Sequence, residues 1–246
     1  MKKYTAILMI MFFLGVGLTA CDGDNKSSKK LIVHTEKKPV PVINDWRIAL
    51  LESVNLSPQK EEIKLSLQSN LTRFSLNRKT GKVTPINDVV ARFNWPLDLT
   101  KKSSDVPIEA QKLHIKHLPE ALPFWKLKEQ SKIIIPVTVW GKFGFSVGFL
   151  AINLPDKTIA GVRFYHSEDT PGLGQEVLNA DFGQRFVGKH LFGKEQQFQL
   201  KLTNSKIADS NQFEVDGITG ATITSSGIQK AVEFWTGHNA YAPILK

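Results

Sequence analysis

The hydrophobic pattern changes character three times along the chain. Residues Tyr4 to Ala20 carry no charge and are apolar without a helical or strand period, bounded by Lys2-Lys3 on one side and Asp22-Gly23-Asp24-Asn25 on the other. From 44 to about 131 the apolar positions come in short, mixed segments. A helix is expected from Asn44 to about Val54, and Ser57-Pro58 opens a second, a cap followed by proline at the first helical position. Thr72-Arg73-Phe74-Ser75-Leu76-Asn77 alternates, and Lys79-Thr80-Gly81-Lys82 turns it back toward Val83 as a strand pair. Further short helices are expected around 86–93 and 107–117. From Lys132 the signal sharpens: Lys132 to Trp140, Phe145 to Asn153 and Thr158 to Tyr165 are apolar and β-branched, with Asp156-Lys157 as a turn.

Those three runs predict a meander at the centre of an antiparallel sheet. A fourth strand is expected over Gln197 to Leu202, then a helix over Ser225 to Trp235 with Ser225 or Ser226 near its start, Gly237 after its end, and Ile228, Val232 and Trp235 on its apolar face. Because the strands are consecutive and do not alternate with helices, the class is α+β, an antiparallel sheet packed with helices. The expected organisation is a signal peptide at 1–20, a lipidated tether at 21–43, an N-terminal α/β extension of the domain at 44–131 and the main domain at 132–246. No internal repeat is visible.

Composition narrows the function classes. With 41% hydrophobic and 22% charged residues among 246, the chain is globular. The formal charge of +9 is scattered and no nucleic-acid motif accompanies it, so nucleic acid is not an expected partner. One cysteine excludes an internal disulfide and a thiolate-only metal or iron–sulfur site. The opening segment reads as a secretory signal, its apolar stretch falling short of the roughly 20 residues needed to span a bilayer. Leu18-Thr19-Ala20-Cys21 resembles a bacterial lipobox, which implies Cys21 as a lipid anchor to the membrane. An uncleaved membrane helix with an incidental thiol is the competing reading, and both put the rest of the chain outside the cytoplasmic membrane, facing the periplasm or cell exterior. Lys26, Lys29, Lys30, Lys37 and Lys38, with Ser27 and Ser28, read as a solvated tether.

Two segments carry candidate chemistry. Asp216-Gly217-Ile218-Thr219-Gly220-Ala221-Thr222-Ile223-Thr224-Ser225 places small residues and hydroxyls just before a helix. Backbone N–H groups there, with the helix's positive end, form an anion site, and a plain Ser/Thr-rich cap is the bland alternative. No Walker Lys-Ser/Thr pair is present, which argues against a nucleoside triphosphate. The second segment is His166-Ser167-Glu168-Asp169-Thr170-Pro171-Gly172-Leu173-Gly174. Its Thr-Pro-Gly-Leu-Gly part is a turn in which two positions without Cβ allow close approach to a flat ring.

The first of these segments resembles the flavinylation motif of the FMN-binding domain family: Asp, Gly, two variable positions, Gly-Ala-Thr. The match falls on Asp216, Gly217, Thr219, Gly220, Ala221 and Thr222. The resemblance implies FMN, one per chain, joined through its phosphate to the Thr222 hydroxyl by a flavin transferase that uses FAD as donor. Asp169 to Gly174 is similar to the same family's loop lining the isoalloxazine ring, with Asp169 where the family usually has Glu. Thr224 and Ser225 follow the acceptor and extend the implied site. Phe182 to Phe192 and Phe234-Trp235-Thr236-Gly237 resemble the NqrC branch, a subunit of the sodium-translocating NADH:quinone reductase, more than its Rnf homologue. Phe143 falls where an aromatic lies near the flavin in that branch. The likeness runs from about 132 to the end, and is limited before it to the turn Asn77 to Gly81.

What the resemblance implies is an electron-transfer protein working with the other subunits of a membrane redox complex, not an independent enzyme. Two rivals stand beside it: a free-standing lipoprotein passing electrons to a periplasmic reductase, and a flavin-free binding or assembly module on the same fold. His114 and His117 have a spacing that one helix face would use to hold a metal, but no carboxylate pair or Cys accompanies them, and no metal is expected. His166 precedes the ring loop and reads first as a solvent-facing loop histidine, with contact to the flavin edge as the alternative. No nucleophile motif of a hydrolase is present.

Overall fold

The computed structural model describes residues 45–90, 93, 95, 105–204 and 211–245. The signal segment, Cys21 and the tether lie outside the described residues. In chain order the elements are α1 (Trp46–Glu52), α2 (Ile63–Asn70), β1 (Leu71–Asn77), β2 (Val83–Ile86), α3 (Ile108–Lys112), β3 (Ala121–Leu127), β4 (Lys132–Trp140), β5 (Phe145–Asn153), β6 (Ile159–Ser167), α4 (Ala180–Gln184), β7 (Lys201–Thr203), β8 (Glu214–Asp216) and α5 (Thr222–Thr236). A 3-10 turn spans Gly174–Leu178.

β1 to β6 form one antiparallel sheet in the order β2-β1-β3-β4-β5-β6, and helices pack on it, which is the expected α+β arrangement. In β4 and β5 every position but the first and last is buried. Strands covered on both faces need this near-continuous apolar run. The meander does not sit at the centre, however, because β6 is an edge strand and β1 and β3 extend the sheet beyond β4. That edge is covered: α1, the 3-10 turn and α4 all pack against β6. Arg163 of β6 bonds Glu52 of α1 through Nε at 2.6 Å, and its Nη1 donates to Leu178 O.

Several local expectations change. β3 had no predicted element, and it contains Pro123, a residue that normally weakens a strand. It pairs with β1 along its whole length but with β4 only at Trp125 and Lys126, so Pro123 lies beyond the β4 ladder. The helix expected at 86–93 is absent from its described part: Ile86 ends β2, and Asp88 accepts from Val90 N at 2.9 Å in a turn. The helix expected through 117 stops at Lys112, because His114 adopts φ 60°. The strand expected at 197–202 contributes only β7, which pairs in parallel with β8 in a separate two-stranded sheet.

α5 runs along β4, and a Cβ at Gly227 would overlap the Trp140 carbonyl. Trp235 Nε1 donates to Thr138 O at 2.9 Å, on the part of β4 that β3 leaves unpaired. Ile228, Val232 and Trp235 are buried as their spacing predicts. An aromatic cluster joins the layers: Trp46, Phe93, Trp125 and Phe149 have neighbouring ring centroids 4.7–6.3 Å apart, and Trp95 meets Trp235 at 5.3 Å. All described residues belong to one compact unit, Pro39–Lys246.

Candidate functional site

Three segments converge at one end of the meander. The first is the β4–β5 turn, closed by Gly141 N donating to Gly144 O at 2.8 Å. The second is the loop after β6, Glu168 to Gly174, where Leu173 N and Gln175 N both donate to Thr170 O at 3.1 Å. The third is the loop from Gly217 to Ala221 that leads into α5. Gly220 has φ 79° there, a left-handed backbone that glycine adopts without strain.

α5 starts three residues earlier than the serines suggest, so Thr222 is its first residue and Ser225 lies inside the helix. Ser225 Oγ accepts from Ile218 N at 2.9 Å and donates to Ala221 O at 3.1 Å, closing the loop onto the helix from within. The N-cap position falls to Ala221, whose side chain has no oxygen to accept from the first-turn amides. A helix normally satisfies those N–H groups with a Ser, Thr, Asp or Asn cap. Here they remain directed at the space beside Thr222, which is exposed. Asn204 Nδ2 approaches Thr222 Oγ1 at 3.4 Å.

Asp169 holds the three segments together. It is 4% exposed. Its Oδ1 accepts from Thr170 N at 2.9 Å, and its Oδ2 accepts from Lys142 N at 3.2 Å and from Thr224 Oγ1. The fit is tight, since a Cβ at either Gly141 or Gly174 would overlap that carboxylate. Asp169, Thr224 and Ser225 therefore spend their polar groups inside the chain and shape the site from behind.

In front lies a cavity of about 230 Å³ lined by Lys142, Phe143, Asp169, Thr170, Leu173, Gly174, Gly220, Ala221, Thr222, Ile223 and Thr224. Its rim is unusually apolar for a surface: Phe143 is 63% exposed, Ile223 57% and Leu173 41%. Grouped exposed apolar side chains mark a place where something binds. Of the sequence candidates, Thr222, Gly220, Ala221, Thr224, Asp169, Thr170, Leu173, Gly174 and Phe143 meet at this cavity. Pro171 and Gly172 are exposed in the ring loop without lining it, as is Thr219 in the loop before α5. Gly217 is buried, its N donating to Thr203 O at 2.8 Å. Asp216 points to solvent beside Arg185, at 3.7 Å. His166 is outside the lining and faces Phe145, with ring centroids 5.3 Å apart. His114 stacks on Trp140 at 4.3 Å, and since α3 ends before it, His114 and His117 do not share a helix face.

Sequence reasoning missed Ile223, Lys142, Asn204 and Arg185. Ile223 stands just after the motif, and an apolar residue among hydroxyls was the available signal. Arg185 holds the motif loop by donating to Asp216 O at 3.1 Å and Gly217 O at 2.8 Å, 31 and 32 residues away, which nothing local indicates.

Among the described residues no helix is long and apolar enough to cross a membrane. With Thr222 at the head of α5 and its motif wrapped round it, the comparison with known proteins falls on this end of the fold. Residues 140–237 match the FMN-binding domain family. The chain is similar to the NqrC protein of the Na(+)-translocating NADH-quinone reductase of Yersinia pestis, 34% identical over 116 residues, which is 47% of this chain and 44% of that one. The Vibrio anguillarum NqrC protein is 37% identical over 117 residues, 48% and 46% of the two chains. The match thus spans less than half the length of these relatives. Among solved structures, NqrC of Shewanella oneidensis superposes with a TM-score of 0.70 at 25% identity, covering 80% of this chain and 93% of that one. The corresponding protein from Parabacteroides distasonis, at 24% identity, 82% and 92% coverage and a TM-score of 0.63, shares the fold. The FMN-binding family and the NqrC branch indicated by the motifs are those the comparisons find.

Proposed function

We propose that this chain is an extracytoplasmic, membrane-anchored flavoprotein that carries one FMN in phosphoester linkage to Thr222 and transfers electrons as an NqrC-like component of a Na+-translocating NADH:quinone reductase. The observation that carries the reading is the pairing at the head of α5. An exposed threonine hydroxyl stands beside first-turn amides left uncapped by Ala221, and the exposed Phe143, Leu173 and Ile223 ring the adjoining cavity. An FMN phosphate suits the first feature and an isoalloxazine ring suits the second. Asp216, Gly217, Thr219 and Gly220 form the recognition stretch for a flavin transferase, and the exposed carboxylate of Asp216 is accessible to such a partner.

When bound, FMN supplies the one- and two-electron chemistry. The chain's residues supply the rest. Thr222 Oγ1 anchors the phosphate, and the amides at the start of α5 offset its remaining negative charge, an interaction worth about 0.3–1 kcal/mol at a surface. Phe143, Leu173 and Ile223 would hold the ring and shield it from water. Asp169 holds the β4–β5 turn, the ring loop and α5 in register. The organisation we propose is a signal at 1–20, a lipidated tether at 21–43 beginning at Cys21, an extension at 44–131 and the FMN-binding domain at 132–246. Membrane redox subunits are the expected partners. The Leu-Thr-Ala-Cys21 sequence favours a second arrangement, a free-standing FMN lipoprotein feeding a periplasmic reductase.

Periplasmic co-expression with a flavin transferase, followed by denaturation, intact mass measurement and peptide mapping, tests the assignment. The expected result is a gain of one FMN less one water on the Thr222 peptide. An unmodified mass, with the transferase active on a control substrate, returns the chain to a flavin-free binding module.

A further inference from the structure

Two ionisable side chains, Lys142 and Asp169, line the cavity beside Thr222. Their situations are opposite. The Asp169 carboxylate is buried and both its oxygens are occupied by Thr170 N, Lys142 N and Thr224 Oγ1. The Lys142 side chain is exposed, and its ammonium stands 4.9 Å from the centroid of the Phe143 ring at the rim of the cavity. On the ring loop, Glu168 has other partners, its Oε2 accepting from Phe145 N at 3.1 Å and its Oε1 standing 3.9 Å from His166 Nε2. No carboxylate of the described residues forms an ion pair with Lys142.

From these positions we propose that Lys142 sets the reduction potential of the flavin held at Thr222, an inference that rests on the FMN reading above. A ring held in the cavity that Lys142 and Phe143 both line would have this cation as a neighbour. Each electron delivered by a reduced partner adds negative charge to that ring, and each electron passed to an oxidised acceptor removes it. A positive charge a few ångströms away stabilises the electron-rich form in preference to the oxidised one. The anchoring of the turn is independent of this effect, because it is the backbone N of Lys142, not its side chain, that donates to Asp169.

The test is a spectroscopic redox titration of the full flavin-loaded protein, comparing wild type with Lys142→Gln and Lys142→Arg. The expected result is a lower midpoint for the Gln variant, with the reduced-to-oxidised ratio at fixed ambient potential falling about tenfold, equal to 59 mV for a one-electron step. The Arg variant, which keeps the charge, should titrate with wild type, and higher salt should narrow the Gln difference. Coincident midpoints for loaded wild type and Lys142→Gln overturn this inference and leave the FMN assignment standing. A wild-type protein whose mass shows no flavin after exposure to an active transferase overturns both.

Discussion

Replacing Asp169 by Asn removes one charge at nearly constant volume and exposes how the site is assembled. Three donors converge on two carboxylate oxygens: Thr170 N on one, Lys142 N and Thr224 Oγ1 on the other. An amide has a single oxygen. If it faces Thr170, the Nδ2 group meets Lys142 N–H, donor against donor, while the Thr224 hydroxyl rotates to accept. If it faces Lys142 and Thr224, Nδ2 meets Thr170 N–H instead. Either orientation strands one backbone donor at a site where Asp169 is 4% exposed, and also weakens the remaining charge-assisted bonds. An unsatisfied buried donor costs about 1–3 kcal/mol. For a chain of this size each kcal/mol moves Tm by about 2–4 °C, so the unloaded variant should melt about 2–12 °C below wild type. Circular dichroism melting of both proteins without flavin, checked by urea unfolding, measures it. Equal melting temperatures would refute the claim that Asp169 fastens the three segments.

Thr222→Val should abolish flavin attachment and leave the melting temperature within about 1 °C, because an exposed hydroxyl becomes a methyl in a β-branched frame; intact mass and a melting curve check both halves. Gly227→Ala should destabilise by about 1–3 kcal/mol in urea, despite alanine's higher helix propensity, because its Cβ would overlap the Trp140 carbonyl. Alkaline unfolding should depend on Tyr241 and Tyr165, whose phenols burial holds well above the usual value while they donate to Pro123 O at 2.7 Å and Trp95 O at 3.0 Å. In the unfolded chain they ionise near 10, so stability should be intact below about pH 10 and fall as pH rises beyond it, with a shallower fall for Tyr241→Phe in urea titrations across that range.

The meander and α5 were legible because their signals are local: nine-residue β-branched runs and an apolar stripe at helical spacing. The acceptor motif and the ring loop were legible as chemistry because glycines, hydroxyls and a helix start sit together in the chain. What stayed hidden depends on distant partners. β3 forms despite Pro123 because β1 pairs with it along its length, and no pattern within 121–127 reports that. Ser225 looked like a cap because a serine before an apolar stripe usually is one. Its hydroxyl instead bonds Ile218 N and Ala221 O, letting α5 extend back to Thr222 with an alanine at its head. The role of Asp169 as a clamp required the approach of Gly141 and Gly174, residues that loop composition does not relate to each other.

The narrow seam between β3 and β4, two register pairs wide, has an evolutionary corollary. Every side chain lining the Thr222 cavity comes from residues 142–224, on the meander side of that seam. Strands β1 to β3 need only offer an apolar face and a compatible edge, demands that many sequences meet. Substitutions can then accumulate on one side at a pace the other side does not tolerate. Such a division predicts two different extents of kinship in one molecule, as in the identity to the Yersinia pestis relative over 47% of the chain beside the superposable backbone on the Shewanella oneidensis structure over 80% of it.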